Sequence, residues 1–214
     1  MERWSGHDLR VQSVGVPPYP GHRFPRIIGL VQPSDSPQTN EVGIRYVRGD
    51  ASQPRGTGPI LIAHVANNQA IRWGGRGFAR SLVERYPAAA SEFAVWNGGA
   101  RPLGALHVAQ AAPGIRIASL IAQVGYGPAP KGHPRVKVHA LQEALEALAT
   151  EAKATDSSVH MPLIGTGQGG MAWPTVRDLI LEELSARHVP VTIYVLPNAS
   201  MPEDMDEEEQ TQLF

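Results

Sequence analysis

The residues best suited to chemistry lie in two glycine-rich stretches. One is Ile164-Gly165-Thr166-Gly167-Gln168-Gly169-Gly170-Met171-Ala172-Trp173-Pro174. Glycines at 165, 167, 169 and 170 leave backbone N–H groups uncovered, and such a backbone can curl around an anion. A helix predicted just behind it adds a positive end. That chemistry is phosphate binding; a tight strand-to-helix turn with no ligand has the same composition. The second stretch is Ala66-Asn67-Asn68-Gln69-Ala70-Ile71-Arg72-Trp73-Gly74-Gly75-Arg76-Gly77, which also follows an apolar run. Asp50, after Gly49, can cap a turn or accept a hydrogen bond from an exocyclic amine. His64 ends a buried run and reads as a hydrogen-bonded structural histidine or as a ligand contact. His133 stands in a Gly/Pro loop and reads as an exposed loop residue or as one that reaches a site.

Several other chemistries are poorly served. Gly165, Gly167 and Gly170 fit the spacing of a dinucleotide fingerprint. That fingerprint normally opens a domain and has an acidic residue about twenty positions on. Here one strand remains, and Asn198 follows it. Gly170-Met171-Ala172 does not supply the Gly-Lys-Ser/Thr of a P-loop. The absence of cysteine excludes disulfides, thiolate nucleophiles and cysteine-ligated zinc, and it suits a reducing cytoplasm. The histidines show no metal-ligand spacing, and neither H-E-x-x-H nor G-x-S-x-G occurs. No metal site is expected.

The 214 residues suffice for one full domain with decoration. A hydrophobic share of 42% with 18% charged residues describes an ordinary globule, and no apolar run reaches membrane-spanning length. The charge is uneven. Residues after His188 carry six acids (Glu203, Asp204, Asp206, Glu207, Glu208, Glu209) and no Lys or Arg. The remainder has 19 basic and 14 acidic residues, a mild positive excess that suits an anionic ligand. It is too weak for a dense duplex-binding face. A cytoplasmic monomer without membrane attachment is the expectation.

The elements must bring the two stretches to one place. Residues 1–40 are Pro-rich and read as an extension or linker, with short edge-strand candidates at 9–16 and 26–31. The domain proper spans 43–198, and 199–214 reads as an acidic, disordered tail. Residues 44–48 alternate like a strand, and 59–65 form the continuous apolar run of a strand buried on both faces. Phe78, Leu82 and Tyr86 mark a helix that Pro87 ends, and a short helix follows over 88–96. Runs 105–111 and 115–123 flank Ala112-Pro113-Gly114 as a hairpin. Val138, Leu141, Leu145, Leu148 and Ala152 mark an amphipathic helix. A strand over 159–164, a helix over 175–187 and a strand over 191–196 complete the order. Apolar strands alternating with helices predict a three-layer α/β/α sandwich with a mixed, mostly parallel sheet. Both glycine-rich stretches then fall at the carboxyl ends of strands, where open α/β sheets bind ligands.

Taken in order and spacing, these pieces resemble the macrodomain, an ADP-ribose-binding α/β/α module. The resemblance covers about 43–197. It rests on Val47-Arg48-Gly49-Asp50, the 60–68 strand and turn, Trp73-Gly74-Gly75-Arg76-Gly77-Phe78, Leu120-Ile121-Ala122-Gln123, His160-Met161-Pro162-Leu163 through Trp173, and Val191-Thr192-Ile193-Tyr194-Val195-Leu196-Pro197. Within the family it is most similar to the subgroup of the ADP-ribose-activated chromatin remodeller and the terminal ADP-ribose protein glycohydrolase. The resemblance implies that Asp50, with Ala51 beside it, reads the adenine amine. Asn67, Asn68, Trp73, Gly74, Gly75, Gly77 and Phe78 would surround the distal ribose, and His64 and Gln123 are further ligand-binding candidates. Ile164, Gly165, Thr166, Gly167, Gln168, Gly169, Gly170 and Met171 would cradle the diphosphate. Pro197 and Asn198 would flank the adenine. ADP-ribose, free or carried on a protein or nucleic acid, is the implied partner, and no resident cofactor is implied.

Two departures bear on catalysis. The glycohydrolase's lysine falls on Gln123 and its aspartate on Gly169. Glutamine forms no Schiff-base-type adduct, and glycine is no base. A binding module is therefore the favoured expectation. The alternative is a water-based ADP-ribosyl hydrolase, for which Asn67, Asn68 and Gln123 are the weak catalytic candidates.

Overall fold

A computed structural model describes residues 43–202, with 97 and 98 known by their backbone alone. The Pro-rich segment 1–40 and the acidic run 203–209 lie outside the described residues. In chain order the elements are β1 (Ile44–Arg48), β2 (Ile60–Asn67), α1 (Gly77–Arg85), α2 (Pro87–Val95), β3 (Leu106–Ala112), β4 (Ile115–Gln123), α3 (Val138–Ala154), β5 (Ser158–Pro162), α4 (Trp173–Glu183) and β6 (Val191–Val195). The strands form one sheet ordered β1-β6-β5-β2-β4-β3. Every neighbouring pair is parallel except β3–β4, which is antiparallel. The expected mixed α/β/α sandwich is the fold found.

The interior strand β2 explains the layering. Its side chains alternate between faces, as the pleat requires. Leu61 and Ala63 join the cluster under α3 and α4 with Leu141, Leu145, Leu148, Val176 and Ile180. Ile60 and Ile62 join the cluster under α1 and α2 with Leu82, Phe93 and Trp73. Each fully buried Leu or Ile contributes roughly 1.5–3 kcal/mol to folding, so the two clusters hold the sheet from both sides. No helix among the described residues is long and apolar enough to cross a membrane.

Parallel pairing sends the carboxyl ends of β1, β6, β5, β2 and β4 to one edge of the sheet. The loops that follow these strands are thereby gathered along that edge. Two local features refine this arrangement. The strand expected to run to Ile164 stops at Pro162, because the Ile164 N–H turns back to the Pro162 carbonyl at 2.7 Å. Between β2 and β4 the register slips, so that Ala66 pairs with Ile121 but Asn67 with Gln123. Such a bulge re-aims side chains. Here it sets Asn67 and Gln123 opposite each other as both strands end.

Candidate ligand crevice

Loop 163–172, between β5 and α4, has no regular secondary structure, so its peptide groups are free to point individually. Some carbonyls are taken within the loop. Gly165 O accepts from Met171 N–H at 3.1 Å, and Gly167 O accepts from Gly170 N–H at 3.1 Å. The Thr166 hydroxyl donates to Leu163 O at 2.8 Å. The N–H groups of Gly165, Thr166, Gly167, Gln168 and Gly169 donate to no acceptor among the described residues. A carbonyl and the N–H that follows it point in opposite directions across a trans peptide. The Gly165 and Gly167 carbonyls, turned into the loop, therefore turn the Thr166 and Gln168 N–H groups of this row outward. Such a row concentrates partial positive charge and suits an anion. Ile164 and Met171, at the two ends, are buried in the core and fix the loop there.

The glycines at 169 and 170 are required by space. A Cβ on Gly169 would lie 2.5 Å from both Gly165 O and Val136 Cγ2. One on Gly170, whose φ is +69°, would lie 2.3 Å from Ala129 Cβ.

The loop after β2 is held differently. Asn67 accepts the Gln69 N–H on its side-chain oxygen at 2.7 Å, and its side-chain amide donates to Gly125 O. Gln123 Nε2 donates to the same carbonyl at 3.1 Å, and Asn68 Oδ1 accepts the Gly125 N–H at 3.3 Å. The three weak catalytic candidates thus converge on one backbone position, Gly125. Gly74, Gly75 and Gly77 lie exposed beyond them, and Phe78 packs against the α1–α2 cluster.

Beneath this loop lies a buried support. Trp73 is 4% exposed, and its indole N–H donates to Ser119 Oγ at 3.1 Å. His64 Nε2 shares that hydroxyl at 2.9 Å, and its ring meets Trp73 edge-on. Burial, with a smaller repulsion from His107, pushes the His64 imidazole down to about 3 and keeps it neutral at pH 7. His64 and Trp73 therefore sit beneath this loop rather than on its surface.

At the end of β1, Asp50 Oδ1 accepts the Ser52 N–H at 2.9 Å, and Asp50 O accepts the Gln53 N–H at 2.9 Å. Ala51 and Ser52 are buried. Two tyrosines hold this turn: Tyr86 Oη donates to Ser52 O at 3.0 Å, and Tyr194 Oη accepts the Arg55 N–H at 2.8 Å. His160 Nδ1 lies 3.1 Å from the same Tyr194 hydroxyl. Burial, then the nearby Arg45 charge, pushes His160 down to about 4. A cavity of about 430 Å³ opens beside Asp50, lined also by Ser52, Ser81, Glu84 and Arg85. After β6, Pro197 and Asn198 are exposed, and Arg48 Nη1 holds their turn through Leu196 O and Ala199 O.

The residues singled out after β1, β2, β5 and β6, with His64 and Gln123, therefore lie at or just beneath one edge of the sheet. In loop 125–136 the residue types single out only His133, which is exposed. The composition marked a Gly/Pro loop, and the loop's contacts are backbone bonds that residue types do not encode.

The sequence matches no family profile. It is 36% identical over 64 residues to mouse chromodomain-helicase-DNA-binding protein 1-like, covering 30% of this chain and 7% of that protein's length. Among solved structures, a macrodomain protein from Streptomyces coelicolor is 35% identical with a TM-score of 0.61, covering 71% of this chain and 98% of that one. The chain belongs to the macrodomain family. A Bacteroides thetaiotaomicron protein of unknown function is 31% identical, with a TM-score of 0.66 and coverage of 71% and 96%. Thermosipho africanus DarTG, solved in complex with ADP-ribose, is 17% identical with a TM-score of 0.53, over 67% of this chain and 39% of that one. At that identity the likeness concerns the fold alone. The carboxyl edge just described carries the N–H row after β5 and the Gly125 knot between β2 and β4.

Proposed function

We propose that this macrodomain binds ADP-ribose, free or carried on a protein or nucleic acid, without hydrolysing it by lysine–aspartate chemistry. The observation that carries the reading is the row of five unengaged N–H groups at residues 165–169. It suits a diphosphate, since each backbone donor gains a charge-assisted hydrogen bond. The ADP-ribose complex of Thermosipho DarTG, which shares the fold, supports the choice of ligand. Asp50 keeps a carboxylate oxygen beyond its own turn for the adenine amine. Asn67, Asn68 and Gln123, with the rim from Gly74 to Phe78, take the distal ribose, and Pro197 and Asn198 flank the adenine.

Two features argue against the lysine–aspartate mechanism. Gln123 stands where the lysine would be, and its amide is spent on Gly125 O. An aspartate at 169 would need a Cβ where Gly165 O and Val136 already are.

Calorimetry tests the reading. ADP-ribose should bind saturably, and Asp50→Ala should weaken it about tenfold, as expected for one charge-assisted hydrogen bond. No heat at millimolar ligand refutes binding. Release of ADP-ribose from mono-ADP-ribosylated protein or DNA would replace the reader with a hydrolase. In that reaction the same N–H row would stabilise charge developing on the diphosphate. The protein is taken to act as a cytoplasmic monomer, which sedimentation and cell fractionation test.

A further inference from the structure

Loop 125–136 touches both glycine-rich loops. Its first residue is the Gly125 knot, held by Asn67, Asn68 and Gln123. Farther along, Ala129 N–H donates to Gln168 O at 3.1 Å. The N–H groups of Arg135 and Val136 donate to Gly169 O at 2.8 and 3.2 Å. These bonds reach the carbonyls at the far end of the N–H row. With Gln168 O tied to Ala129, the Gly169 N–H must point away from loop 125–136. The contact is also steric, because Ala129 and Val136 occupy the space that side chains at 170 and 169 would need.

Arg135 closes the loop on itself. Its Nε donates to Pro128 O at 3.1 Å and its Nη1 to Val124 O at 3.4 Å. Its carbonyl accepts the Val124 N–H at 2.9 Å, while its own N–H holds Gly169 O. One residue thus ties the start and middle of the loop and the phosphate-facing turn together. Both of these guanidinium bonds go to carbonyls, which suits a residue that shapes backbone.

We propose that loop 125–136 is a strut that sets the orientation of the N–H row, and that Arg135 is its positioning residue. The proposal rests on the ADP-ribose reading. It makes the diphosphate subsite and the Asn67–Gln123 subsite mechanically dependent on one loop that need not touch the ligand.

The test uses the full chain, ¹⁵N-labelled, with ADP-ribose and inorganic pyrophosphate as probes. Arg135→Ala should weaken both about tenfold, since a misplaced donor loses most of one hydrogen bond. In the ligand-free variant the amide signals of residues 165–169 should move, while those of Asp50 and Asn198 stay. Arg135→Lys should recover part of the affinity, because an ammonium can still reach one of the two carbonyls. Ala129→Pro, which removes the N–H that Gln168 O accepts, should reproduce the loss if Arg135→Ala fails to fold. Unchanged affinity with unmoved amides in either folded variant overturns the strut. If the unmodified protein binds neither probe, the ADP-ribose reading fails and takes the strut with it.

Discussion

The glycine-rich turn after β2 and the one after β5 are alike in composition and differ in what their glycines do. After β5, Gly169 and Gly170 are the only residues that fit, because carbonyl, valine and alanine atoms stand where a Cβ would go. After β2, a Cβ on Gly75 meets nothing within 4 Å, and one on Gly74 only reaches ordinary contact with Ala79. The first turn is organised by side chains, through Asn67, Asn68 and the buried Trp73–Ser119–His64 group. The second is organised by backbone, and its donors are left pointing out. Glycine content is therefore a poor guide to rigidity. One turn uses glycine to pack, and the other uses it to stay open.

This contrast can be broken by substitution. The largest effect is expected from Gly169→Asp, which introduces the aspartate that the resemblance to the glycohydrolase puts at this position. Overpacking should cost about 2–3 kcal/mol, read as a lowered urea midpoint, and should abolish ADP-ribose binding in calorimetry. Combined with Gln123→Lys it should still release no ADP-ribose. A stable, hydrolysing double variant would show that the loop relaxes around a side chain and that its glycines are not needed for space.

Acid should separate the two turns next. His64 beneath the first turn and His160 beneath the Asp50 turn have folded values of about 3 and about 4, below the usual 6.5. The unfolded chain then binds protons that the folded chain does not. Stability is full above pH 6.5 and falls as pH drops through that value toward 4 and 3. At pH 5 each histidine should have cost about 2 kcal/mol. Thermal midpoints at pH 7 and 5 measure this, and His160→Gln should shrink the difference. Residues 163–172 contain no titratable side chain, so amide exchange should rise at 66–76 before it rises there. Simultaneous opening would mean that the two turns form one cooperative unit.

Gly75→Ala should do least. Its added methyl meets open space, so stability should change by less than about 0.5 kcal/mol and ADP-ribose affinity by less than about twofold. A large loss of affinity with unchanged stability would place the ligand against Gly75 itself.

Much of this was legible in the residue order. The continuous apolar run of β2, the four-residue spacing of α1 and the apolar stripe of α3 carry their own periodicity, so the layers followed. The glycine-rich turns announced themselves as places where backbone N–H groups are left uncovered. The Gln123 and Gly169 departures were also readable, because a residue type either can or cannot do a given step.

Other parts were not legible. His64 and Trp73 share motifs with rim residues yet lie below the rim, since alternation along β2 sends His64 inward to Ser119. The bulge that pairs Asn67 with Gln123 leaves no mark in either strand's composition. Arg135 carries no signal in residue type, because its bonds to Val124 and Pro128 depend on how the loop folds back.

The sequence by itself determined the elements, the resemblance to the family and the residue types at 123 and 169, because periodicity and residue type are local properties. Only the tertiary structure decided which backbone donors stay unengaged, which glycines have room for nothing else and which loop holds the others. Those outcomes are set by carbonyls and N–H groups that all residues but proline carry alike, so only their positions in space distinguish them.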